Sequence, residues 1–166
     1  MTDKGITLEW VVFPEIEDIS EIYYPLAREL LHFTDYPMPA FAWHKKEGLE
    51  GAIGAAKNGY YKSIQECAAN FCYYCIKNHP FRDGNKRMGV IILVSFLLLN
   101  GFHYKRRKHL STHAIIHLAE YIANSDSRKR VTVLRTTVKW IHRYFEFHES
   151  EIGPFMRLWN RLRLRG

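Results

Sequence analysis

Cysteine, long apolar runs and acidic residues are all in short supply in this chain of 166 residues, and each shortage closes off a class of protein. The three cysteines are Cys67, Cys72 and Cys75. A small, odd number with no export leader is not a disulfide framework and points to free thiols in a reducing cytoplasm. Cys72-x-x-Cys75 lacks the second spaced pair that a structural zinc uses, and all three cysteines fall on one apolar stripe, so they read as buried thiols. The longest apolar run, Met88 to Leu99, spans about twelve residues and is broken by Ser95. That is too short to cross a bilayer and suits a buried helix, so no membrane contact is expected. Met1-Thr2-Asp3-Lys4-Gly5 carries no leader-like apolar region behind it. There is no internal repeat and no low-complexity segment. Against 17 acidic residues stand 24 Lys and Arg, a net charge of +7. That balance fits a nucleotide, a nucleic acid or an acidic protein as partner and does not choose among them.

The length suits one domain, and a 47% hydrophobic content supplies a core. Residues 1–150 read as a single domain with its core at about 40–147, followed by a basic amphipathic extension at 151–166. Ile6 to Phe13 reads as a short strand ended by Pro14. Asp18 or Ser20 can cap a helix running to about Leu31, with Pro25 imposing a kink or a late start. Asp35 to Pro39 is a connector. Gly48, Gly51, Gly54 and Gly59 speak against one long helix. Leu49–Ala56 suits a short one, and Ala55–Tyr61 an edge strand or hairpin arm around the turn dipeptide Asn58-Gly59. Ser63 to Asn78 carries Ile64, Cys67, Ala68, Phe71, Cys72, Cys75 and Ile76 at helical spacing. The next helix, about Asn85 to Asn100, is apolar nearly all round and should be the central one. A basic link at 104–109 leads to a helix capped by Ser111. Val131–Phe147 reads as another helix, broken beyond its end by Gly153-Pro154.

Between the two most apolar helices lies His79-Pro80-Phe81-Arg82-Asp83-Gly84-Asn85-Lys86-Arg87. A helix N-terminus presents free backbone N–H groups and a partial positive charge, and so attracts anions. Gly84 allows close backbone approach to a ligand. Lys86 and Arg87 add charge, and an arginine grips phosphate oxygens in a fork. Asp83 is an acceptor that can hold Mg²⁺ against phosphates. His79 can exchange a proton near neutral pH. These nine residues suffice for phosphoryl or nucleotidyl transfer.

HPFRDGNKR resembles the signature HPFx(D/E)GN(G/K)R of the Fic/Doc family and matches it at every specified position. Glu47–Ile53, Asn58-Gly59-Tyr60-Tyr61 and Phe96–Phe102 are similar to the segments that flank that signature, so the likeness covers roughly residues 45 to 105. It implies an all-α, Fic-type helical domain around a central buried helix, with a small β-hairpin flap. By resemblance, His79 is the general base for a target hydroxyl and Asp83 the Mg²⁺ ligand. Gly84 and Asn85 would form the anion hole, and Arg87 would pair with another phosphate. Pro80 would shape the turn and Phe81 anchor it, while Arg82 falls at the free position. Asn58, Gly59, Tyr60 and Tyr61 would form the flap that receives the target's backbone. The co-substrate implied is ATP with Mg²⁺, and the target a protein with a Ser, Thr or Tyr hydroxyl, such as a translation factor.

Lys86 separates two chemistries within that family. Glycine there goes with AMP transfer. Lysine is found in Doc-like toxins of toxin–antitoxin pairs, which move the terminal phosphate. Yet the Doc toxin has alanine where this chain has Gly84, so the likeness to either type is incomplete. Phosphoryl transfer is the expectation and AMPylation the alternative. The family's inhibitory pattern (S/T)xxxE(G/N) does not occur in the chain, which implies a separate small antitoxin. A non-catalytic binding protein is disfavoured by the intact signature.

Other groupings carry less. His113 and His117 share a helix face but lack a metalloprotease glutamate. Tyr60, Tyr61, Tyr73 and Tyr74 fit packing better than base stacking. The arginines of the tail (Arg157, Arg161, Arg163, Arg165) fit a docked amphipathic helix, and nucleic acid is not an expected partner.

Overall fold

A computed structural model of the chain describes residues 11–31, 35, 37–108 and 110–148. Helix begins earlier than the sequence predicts, at Ile16. A single turn α1 (Ile16–Asp18) opens on a capping box in which Glu15 N–H donates to Asp18 Oδ2 at 2.7 Å. A π-helical turn at Ile19–Tyr23 leads into α2 (Tyr24–Leu31). The wide turn sits just ahead of Pro25, whose missing N–H and ring would break a regular ladder there. Of the predicted first strand, residues 6–10 lie outside the described residues. Val11–Phe13 form no strand; Val12 is held instead by the Asn100 side chain at 2.8 and 3.0 Å.

The glycine-rich stretch corrects the sequence reading. It is one helix, α3 (Lys46–Asn58), and not a hairpin arm. Leu49, Ala52, Ile53 and Ala56 recur at helical spacing and are all buried, so packing outweighs the glycines' poor propensity. Asn58 closes the helix by donating from Nδ2 to Gly54 O at 2.9 Å, and Tyr61 folds back to donate to Ala55 O at 3.0 Å.

Ser63 caps α4 (Ile64–Lys77) by accepting from Glu66 N–H at 3.2 Å. Cys67, Cys72 and Cys75 are free thiols buried on its inner stripe, as expected. Burial raises the Cys67 thiol to about 12 and raises the other two as well. Next comes α5 (Asn85–Leu99), ten of whose residues are buried; it is the core helix the apolar run predicted. Helices α4 and α5 pack at closest range around Gly89, where an added Cβ would fall 2.3 Å from Ile76 Cγ1. Asn100 ends α5 by donating to Phe96 O at 2.8 Å, and Gly101 follows at φ 82°.

The remaining elements are β1 (Phe102–Tyr104), α6 (Thr112–Asn124), a 3-10 turn at Ser127–Lys129, α7 (Arg130–Tyr144) and β2 (Phe145–Phe147). The molecule is mostly helical with a small two-stranded antiparallel sheet. That sheet is not beside Asn58-Gly59. It pairs Phe102 with Phe147 and Tyr104 with Phe145 across the chain. So the last predicted helix stops at Tyr144, and its final three residues turn into a strand. Alternating aromatics there pack across the pair with tilted rings, Tyr104 against Phe145 at 4.8 Å and Phe102 against Phe147 at 5.3 Å. The extension at 151–166 lies outside the described residues. Among the described residues no helix is long and apolar enough to cross a membrane.

Candidate active site

Helix α4 ends at Lys77, and the chain must reverse to start α5 eight residues later. His79 makes the turn at φ 49°, the left-handed region that usually falls to glycine beyond a helix end. A side chain held there is uncommon, and histidine tolerates it better than most. Its imidazole is exposed. Behind it the Asn78 side chain donates to Gly48 O at 2.9 Å, tying the turn to α3.

An extended segment clamps the loop from the other side. Pro80 O accepts from His44 N–H at 2.9 Å and Lys45 N–H at 3.1 Å, and Arg82 N–H donates to Ala42 O at 2.9 Å. Phe81 is buried, stacked on Trp43 at 5.3 Å and tilted against Tyr24 at 5.4 Å. Backbone pairing at Pro80 and Arg82 and the burial of Phe81 thus hold the loop from one side. Burial, and then the carboxylate of Asp83, pushes the Tyr24 phenol upward in pKa.

Gly84 stands at the N-cap of α5 with φ 76°. A Cβ there would meet Met38 Cε at 3.0 Å and Pro39 Cδ at 3.2 Å, so the backbone favours glycine and a side chain would have to displace those neighbours by a few tenths of an ångström. The first intrahelical bond is Met88 N–H to Gly84 O, 2.9 Å. The N–H groups of Asn85, Lys86 and Arg87 come before it and lack intrahelical partners, as at any helix start. The Asn85 side chain, however, is spoken for: Oδ1 accepts from Phe81 N–H at 2.8 Å and Nδ2 donates to Phe81 O at 2.7 Å. What Asn85 can offer an anion is chiefly its backbone N–H; its amide braces the loop.

Asp83 is exposed, and its Oδ1 accepts from Gly84 N–H at 2.5 Å. Among the described residues no group of three or more His, Cys, Asp or Glu could cage a metal. One open carboxylate would fit Mg²⁺ if a nucleotide were bound beside it, since that ion keeps waters and phosphate oxygens as its other ligands. Lys86 is exposed, while the Arg87 guanidinium donates to Pro37 O.

His79, Asp83, Gly84, Asn85, Lys86 and Arg87 all line one cavity of about 520 Å³. Its remaining walls were not legible in the local sequence. They are Arg82 from the loop itself, Asp35 and Pro37 from the connector, and Ile116, Ala119 and Glu120 from α6. Only the docking of α6 against α5 brings that wall to the site. Asn58, Gly59, Tyr60 and Tyr61 do not line it. They lie at the far end of α3, about 18 Å along the helix axis from Lys46. The extended chain beside the loop is Ala42–Lys45 instead. Tyr73 and Tyr74 are likewise packed elsewhere, with the Arg130 guanidinium 5.9 and 5.3 Å from their rings. His113 and His117 are exposed with rings 6.2 Å apart.

A family model described as Fic/DOC family matches residues 15–97, which is half of the chain. The chain belongs to the Fic/DOC family. The matched span runs from the turn before α1 to within two residues of the end of α5. It therefore takes in the clamping segment, the motif loop and the helix whose N-terminus faces the cavity. Comparisons with curated proteins and with solved structures returned no match. Membership supports transfer of a nucleotide-derived group to a protein as the activity of this Fic/DOC site.

Proposed function

We propose that this Fic/DOC protein transfers the γ-phosphate of ATP to a hydroxyl side chain of a target protein, in the manner of Doc-like toxins. The observation that carries the reading is Lys86, an exposed ammonium in the first turn of α5, on the wall of the cavity that also holds His79. There it occupies space that an α-phosphate with its adenosine would need, and it offers a compact charge to a terminal phosphate. The N-terminal amides of α5 and Arg87 neutralise the rest of the polyphosphate. His79 takes the proton of the target hydroxyl as its oxygen bonds to the γ-phosphorus. The bond from γ-phosphorus to the bridging oxygen breaks, and ADP leaves with that electron pair. Such a reaction asks the protein mainly for positioning and charge, which is what this loop provides. Mg²⁺, when held by Asp83, draws charge from the phosphate oxygens.

AMP transfer is the second reading, and Gly84 supports it, since the Doc toxin has alanine there. The chain carries no (S/T)xxxE(G/N) pattern, and a separate small protein is proposed as its inhibitor. The test is to incubate purified protein with lysate and, in parallel, α- and γ-³²P-ATP. Label from the γ position alone is the expected result. Label from the α position would overturn phosphoryl transfer in favour of AMPylation. No label from either would overturn the transferase assignment.

A further inference from the structure

We infer that α7 and the loop after β1 form a docking surface for single-stranded nucleic acid, bordering the transfer site but separate from it. The observations concern charge, fusion and shape. The exposed residues Arg135, Thr136, Lys139, His142 and Arg143 recur at helical spacing along one face of α7. Neither α7 nor the stretch 103–119 contains an Asp or a Glu. A merely solvated face usually mixes both signs, so an acid-free one is informative. Arg135, Lys139 and Arg143 stand four residues apart, a row with about 6 Å between successive charges along the axis.

The loop fuses to this face. Lys105 N–H donates to Tyr144 O at 2.9 Å, and Lys105 Nζ to His142 O at 2.6 Å. Lys105, Arg106 and Lys108, with Tyr104, Leu110 and Ile115, line a groove of about 530 Å³. Tyr104 is 43% exposed and its ring is steadied against Phe145. An exposed, braced aromatic among cations is a stacking platform for a base. An acidic protein or an anionic membrane would use the charge but would have no need of the groove and its aromatic. The groove also adjoins the transfer site: Ile115 lines it, and the next residue, Ile116, lines the active-site cavity. The arginines of the tail fit a docked amphipathic helix; this surface is a different one.

The test uses the full chain and a fluorescent U20 RNA, read by anisotropy over a range of salt, with Mg-ATP saturating the transfer site. Binding should persist under ATP and weaken linearly in log–log form as salt rises. The triple variant R135A/K139A/R143A should flatten that slope by about 2, at about 0.7 for each phosphate no longer neutralised. Tyr104→Ala should weaken binding at least about 5-fold with the slope unchanged, and Tyr104→Phe should restore it. The altered residues are exposed, and thermal melts would verify folding; if the triple variant melts, the Tyr104 pair decides alone. Absence of binding, loss of binding under ATP, or indifference to these variants would overturn the inference. So would equal displacement by polyglutamate, or by anionic vesicles, which would assign the face to an acidic protein or a membrane.

Discussion

At the residue scale, the site rests on a histidine held where glycine is usual and on a glycine whose left-handed backbone and close neighbours disfavour a side chain. His79 is exposed, so its removal should cost chemistry more than stability. His79→Ala should abolish transfer and lose no more than about 1–2 kcal/mol of stability, because alanine tolerates the left-handed backbone at this position less well than histidine. Labelling near the wild-type rate would mean that another group takes the proton. Asn85 invites the opposite outcome. Its amide satisfies both the N–H and the C=O of Phe81. Asn85→Ala leaves those two groups wanting partners and should cost about 1–3 kcal/mol by denaturant unfolding. Its transfer rate should fall as well, since Phe81 sits between His79 and Asp83 and the loop would lose its brace. An Asn85→Ala protein as stable as wild type would show that the amide acts on the ligand and not on the loop.

At the scale of elements, α4 and α5 were legible because their burial is written in local spacing. The stripe from Ile64 to Ile76 and the apolar run from Met88 to Leu99 need no knowledge of the rest of the chain. Three other features depend on partners distant in sequence and were not legible. Helix α3 forms over its glycines because Leu49, Ala52, Ile53 and Ala56 find a buried face. Strands β1 and β2 stand more than forty residues apart, and nothing local to Phe145-Glu146-Phe147 announces a strand. The α6 wall of the cavity, with Glu120, exists only after docking. The nine-residue motif was legible because it is contiguous, and the segment Ala42–Lys45 that clamps it was not. The buried thiols of α4 give this scale its own test. In the folded state their pKa values are raised by burial, Cys67 to about 12, while unfolded thiols ionise near the ordinary value of 9.0. Above pH 9 the unfolded chain therefore holds fewer protons than the native one, and stability should fall as pH rises from 9 toward 12. Below pH 9 these thiols should leave stability level. A disulfide-forming thiol reagent at pH 8 should label none of the three until denaturant is added. Rapid labelling of native protein would contradict the burial of that stripe.

At the scale of the whole molecule, the chain presents its signature loop on a closely packed helix pair and carries no inhibitory pattern of its own family. If a separate partner restrains it, the free enzyme should be harmful where its target is present. Expression in bacteria should slow growth, and expression of His79→Ala to the same soluble level should not. Equal growth of both cultures would count against a toxin role while leaving the chemistry open. The central claim is that this site moves a terminal phosphate, and the mass of the modified target tests it most directly. Wild-type protein, Mg-ATP and lysate would be incubated, the labelled band isolated, and its modified peptide measured by mass spectrometry. The expected result is the mass of one phosphoryl group on a Ser, Thr or Tyr, absent when His79→Ala replaces wild type. The mass of AMP on that side chain, or a phosphate that persists with His79→Ala, would contradict the account.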